Sequence, residues 1–249
     1  MALTSYQYSA QYTYLDEALR AQWQDFSMLE SEIASFVPKP MNEFRSRRDA
    51  ELERLCLLNP DKTLEEMSSF VDEQFKYMMS PEWQFRERFD RRHMTQYITV
   101  IVLSHALSEA LINAVLAIGL ANIGAQDIFP LLEKSEFRLK WLYAPKSFAP
   151  DYKFPVGTAL NETLTMLYRQ RNALVHLKIE LSVEGKKLIE GTNFKRTRFD
   201  EERIWLRRYF SLPYDLVDFI NRTIKEPRFE LLFDRKPIEV ACAHLPDII

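Results

Sequence analysis

The stretch ITVIVLSHALSEALINAVLAIGLA (residues 98–121) decides the fold class. Its length and apolarity match a membrane span of roughly 20 residues. Yet it carries His105 and Glu109, which are expensive in a bilayer. At 100° per residue, Ser104, His105, Ser108, Glu109, Ile112 and Asn113 share one half of the helical wheel. The stretch therefore reads as the long central helix of a bundle, about 94–125, with a polar arc inside or beside the core.

The rest of the chain agrees with a helical reading. Gly is scarce, 5 of 249 residues or about 2%, against a usual value of roughly 7%. Turn-rich β folds and glycine-rich nucleotide loops need more. Apolar residues make up 47% and charged residues 28%, enough to bury a core and unlike a disordered chain. The 33 Lys+Arg nearly balance the 36 Asp+Glu, which argues against a strong general nucleic-acid binder but permits a local basic patch. Cys56 and Cys242 form no CxxC pair, so zinc ribbons, thioredoxin-type sites and a disulfide framework are excluded, which fits a reducing, cytoplasmic setting. The first residues have neither a basic start nor an apolar core of secretory type.

Upstream of the central helix, Leu15, Leu19, Trp23, Phe26, Leu29 and Ile33 recur at helical spacing over about 12–35. Pro38 and Pro40 break the chain. Further helices are predicted over about 41–58 and 63–79, the latter opened by a Thr63–Glu66 capping box. Another starts at Ser80-Pro81 and leads into the charged run 86–92. Downstream, a helix over about 129–143 carries Leu131, Phe137, Leu139 and Trp141. A proline-rich loop over 143–157 precedes a helix over 157–178. The segment 178–195 patterns as a short hairpin about Glu184-Gly185-Lys186. Residues 200–225 return to helix, interrupted near Pro213, and the tail has no clear period. The expected architecture is all-α with a minor β-hairpin, with an N-terminal helical extension over 1–90 and a main domain over 91–249.

The 157–178 helix holds the chemistry. Leu160, Leu164, Leu167, Arg171 and Leu174 form one stripe, so Arg171 interrupts an apolar seam and needs acceptors. Thr165, Arg169, Asn172 and His176 form a polar stripe beside it. Asn172 and His176, four apart, can touch. The string Arg171-Asn-Ala-Leu-Val-His176 is R-x4-H with a polar residue after the Arg, and it resembles the signature of the HEPN superfamily, many members of which are metal-independent endoribonucleases. The preceding apolar helix with Ser108-Glu109 on its polar arc, the string Phe137-Arg-Leu-Lys-Trp141 and the proline-rich loop after it are also similar to such domains. The resemblance covers about 94–225.

The resemblance implies a HEPN-type bundle, a homodimer with two motifs lining one cleft, and transfer of an RNA phosphate to its own 2′-oxygen without a cofactor. His176 suits proton transfer, because imidazole titrates near 6.5 when unperturbed. Arg171 offers a planar fork for two phosphate oxygens. Asn172 would orient His176 or a phosphate oxygen, and Glu109 would hold Arg171 from the facing helix. Arg169, Lys178, Lys195, Arg196 and Arg198 are the candidate RNA-backbone contacts, although a solvated helix face is the ordinary reading of the basic run that continues through Arg203, Arg207 and Arg208. By analogy with the family, a toxin or phage-defence role with an antitoxin or regulatory partner is expected. The alternative is a non-catalytic HEPN-like module that binds a nucleotide or protein. His93, His105 and His244 have no metal-site spacing and read as surface or satisfied core histidines. Tyr6, Tyr8, Tyr12 and Tyr14 stack bases or, more ordinarily, pack a core edge or an interface.

Overall fold

The structure is a computed structural model that describes residues 5–39, 44–175, 181–183, 186–189 and 199–224. The fold is all-α. Among the described residues, eight α-helices run in the order α1 (Ser5–Ala34), α2 (Arg45–Leu58), α3 (Leu64–Met78), α4 (Pro81–Asn122), α5 (Phe129–Glu133), α6 (Phe137–Tyr143), α7 (Ala159–Val175) and α8 (Phe199–Thr223). Two short segments, β1 (Leu181–Val183) and β2 (Lys186–Ile189), pair antiparallel, with Leu181 opposite Ile189 and Val183 opposite Lys186.

Two compact units divide the chain: Met1–Asp25 with Gln96–Ile249, and Phe26–Thr95. The sequence pattern divides it near residue 90 instead, because it carries no sign of where the first helix packs. In the structure, the Trp23 indole meets the Phe210 ring edge-on at 4.4 Å. The Tyr214 hydroxyl donates to the Asp16 carboxylate. These contacts tie the first part of α1 to α8.

Within the larger unit, the apolar side of α4 supplies Val100, Ile101, Leu107, Leu111, Ile112, Val115, Leu116 and Leu120, all buried. By length and composition alone α4 could cross a membrane, and 56% of its most apolar window is buried inside the protein. It ends where Gly124 takes a left-handed φ of 73°, a conformation that costs glycine little. The charged run and the apolar stretch, read separately in the sequence, belong to this one helix, since no Pro or Gly interrupts 82–118. The predicted 129–143 helix is split into α5 and α6: Ser135 bends the chain, its backbone N–H donating to the Leu132 carbonyl and its hydroxyl to the Leu131 carbonyl.

α6 and α8 both pack on α7. The loop before α7 is fastened where the buried Tyr152 hydroxyl donates to the Trp141 carbonyl at 2.6 Å. α8 runs through Pro213 without ending; the proline removes only one backbone donor from the helix.

In the smaller unit α2 and α3 form a hairpin around Phe44, Val71 and Phe75, against which Leu52, Leu55 and Met79 pack. The Thr63–Glu66 capping box forms, with both reciprocal hydrogen bonds. The Gln84 amide ties the chain on both sides, accepting from the Lys39 backbone N–H at 2.8 Å and donating to the Met79 carbonyl at 3.0 Å. Phe36, Phe85 and Phe89 cluster with ring centroids 5.0–5.7 Å apart.

Candidate functional site

Three helices of the larger unit bring polar side chains together. α4 supplies His105, Glu109 and Asn113, spaced four apart and so stacked on one face. α6 supplies Phe137 and Lys140. α7 supplies Tyr168, Arg171 and Asn172.

Lys140 organises the cluster. Only 1% of its side chain is exposed. Its ammonium donates to Glu109 Oε1 at 2.9 Å and to Asn113 Oδ1 at 3.1 Å. A buried ammonium without acceptors would cost several kcal/mol, so these two oxygens are what allow a lysine here. The Glu109 side chain is 37% exposed. It is the outward end of a pair whose inner end is dry.

His105 lies behind Glu109. Its Nδ1 is 3.9 Å from Glu109 Oε2, and its ring lies over Phe137 with centroids 4.2 Å apart. The Phe137 ring is in turn stacked with that of Tyr168 at 6.3 Å. Burial pushes the His105 pKa down to about 4; Glu109 opposes the shift, and the positive charges of Arg171 and Lys140 add to it. The imidazole is therefore neutral at physiological pH. Its Nε2 is buried without a hydrogen-bond partner.

Arg171 is half-buried. Its Nη1 donates to Asn172 Oδ1 at 3.1 Å. The seam it interrupts is real, for Leu164 and Leu167 are fully buried. The expected Glu109–Arg171 ion pair is replaced by Glu109–Lys140. Lys140 reaches the carboxylate from α6, a nearer source of positive charge than the sequence pattern suggested. Arg171 and Glu109 nonetheless act on the same group, since both charges influence His105.

The other expected site residues divide cleanly. Arg169 is exposed on α7. His176, Lys178, Lys195, Arg196 and Arg198 lie outside the described residues. On α8, Arg208 donates to Glu162 at 3.2 Å and lies over the Trp205 ring at 4.9 Å, so it is committed to neighbours within the unit. Lys140 and Asn113 are members of the site that sequence reasoning missed as ligands of the pair. The available signal was the wheel: Lys140 shares the side of α6 that carries Phe137 and Trp141, both buried.

A cavity of about 460 Å³ opens at the other end of α7, lined by Thr158, Thr163, Arg208, Asp215, Asp218 and Arg222 among others. No protein-family model, no curated protein and no solved structure matches this chain.

Proposed function

We propose that this chain is a metal-independent endoribonuclease built on a HEPN-type bundle. The reading rests on the R-x4-H string and on one observation: the Arg171–Asn172 contact lies on α7, close enough to the α4 polar arc for the Arg171 charge to act on His105. In the proposed reaction the RNA 2′-oxygen attacks the adjacent phosphorus while His176 takes the hydroxyl proton. The P–O5′ bond breaks, the leaving oxygen is protonated, and a 2′,3′-cyclic phosphate and a 5′-hydroxyl remain. Arg171 steadies the charge that develops on the phosphorane oxygens. A homodimer would bring two such motifs to one cleft, in the cytoplasm, with a toxin or defence role held in check by a partner protein.

The competing reading is a non-catalytic binding module, favoured by the mixed-charge cavity at the start of α7, which suits a small polar ligand. Incubating single-stranded RNA with the protein and a chelator separates the two. Products with cyclic phosphate ends support the nuclease. Intact RNA supports the module.

A further inference from the structure

Glu109 has one oxygen committed and one to spare. Oε1 takes the Lys140 ammonium. Oε2 lies 3.9 Å from His105 Nδ1, beyond hydrogen-bond length, and no hydrogen bond to it is present among the described residues. The Glu109 side chain is more than a third exposed, while that of Lys140 is almost wholly buried. Lys140 thus cannot meet a ligand itself, but it fixes the group that can. A fixed acceptor in a cluster that the Arg171 charge also reaches suits a ligand that carries both an O–H donor and a phosphate. RNA has such a donor at every nucleotide and DNA has none.

We propose that Lys140 is a positioning residue, whose buried ammonium aims Glu109 Oε2 to accept the 2′-hydroxyl of a nucleotide flanking the cleaved bond. The inference rests on the ribonuclease reading and adds a specificity determinant to it. The reacting hydroxyl remains the business of His176, so the two roles do not compete for one proton.

The groups facing the cluster are His105 and Glu109 on α4, Lys140 on α6 and Arg171 on α7, with Asn113 and Asn172 as neutral partners. The experiment compares an all-RNA strand with a DNA strand of the same sequence holding one ribonucleotide at the cleaved position. The second strand keeps the reacting hydroxyl and lacks the flanking ones. Wild-type protein should cut and bind the all-RNA strand better. Lys140→Met and Glu109→Gln should each reduce that preference about tenfold, the scale of one hydrogen bond to a charged group. The double variant should lose no more than the single ones, because the two residues act as one unit. A folded Lys140→Met protein with an unchanged preference overturns the proposal. Glu109→Gln, nearly isosteric, provides the same comparison if Lys140→Met fails to fold.

A second readout does not need RNA. NMR titration of the His105 imidazole should move up from about 4 in Lys140→Met, since the Lys140 charge helps to hold it down. If wild-type protein neither binds nor cuts RNA, the ribonuclease reading and the flanking-hydroxyl role fall together. A shifted His105 would then still support Lys140 as the residue that sets the cluster, and an unshifted one would overturn that too.

Discussion

Lys140 and Glu109 form an ion pair at 2.9 Å whose two ends differ in their access to solvent: the Lys140 side chain is 1% exposed and the Glu109 side chain 37%. This asymmetry makes the two partners unequal under substitution. Glu109→Leu strands a buried ammonium with only Asn113 to accept from it. Lys140→Met leaves a carboxylate that water already reaches. Breaking a buried pair costs about 3–5 kcal/mol when the remaining charge is sequestered. Urea unfolding should therefore show Glu109→Leu losing about 3 kcal/mol and Lys140→Met distinctly less. Equal losses would mean that the ammonium is as well hydrated as the carboxylate.

His105 makes stability depend on pH. Its folded-state pKa is lowered to about 4, against about 6.5 in an unfolded chain. Between these values the unfolded state binds the extra proton, so stability is fully present above pH 6.5 and is lost as pH falls toward 4. The loss is on the order of 3 kcal/mol for this group. Denaturation midpoints measured from pH 7 to pH 4.5 should fall for wild-type protein, and less steeply for His105→Gln. Parallel curves would show that His105 is not the group responsible.

The close approach of α4 to the proline-rich loop is set by Gly119. A Cβ built there would lie 2.4 Å from the Phe148 ring, well inside contact distance. Gly119→Ala should destabilise the larger unit by about 1–3 kcal/mol, the usual range for overpacking. Thermal unfolding of Gly119→Ala alone and with Phe148→Leu checks this, because the smaller side chain should recover part of the loss. Absence of any effect from Gly119→Ala would show that the ring is free to move aside.

How much of this was legible beforehand follows from which interactions have a sequence period. The polar arc of α4 was, because His105, Glu109 and Asn113 recur every four residues against an apolar background. The Thr63–Glu66 cap was, since both of its hydrogen bonds are local in sequence. The partner of Glu109 was not. Lys140 lies 31 residues away on a helix of only seven residues; the side it shares with Phe137 and Trp141 hints at its burial, but nothing local in sequence says which carboxylate it meets. The placement of α1 was also hidden, because the Asp16–Tyr214 contact spans 198 residues. His176, on which the chemistry depends, was read from the R-x4-H string alone and lies outside the described residues.

The proposed assembly has its own consequence. A HEPN-type dimer should sediment at about twice the 29.5 kDa of one chain. The exposed Arg169 on the α7 polar stripe should tune it: near a two-fold axis Arg169 meets its own copy, so Arg169→Ala removes a like-charge repulsion and should lower the dimer dissociation constant. Sedimentation that returns a monomer at micromolar concentration would remove the two-motif cleft from the account.

The most direct test of the central claim is the rate at which wild-type protein and His176→Ala cleave single-stranded RNA in the presence of chelator, under single-turnover conditions and with the product ends identified. The account predicts 2′,3′-cyclic phosphate ends from wild-type protein and a rate reduced about 10²–10⁴-fold in His176→Ala, the usual contribution of a general acid–base group. His176→Ala cleaving as fast as wild-type protein would contradict it.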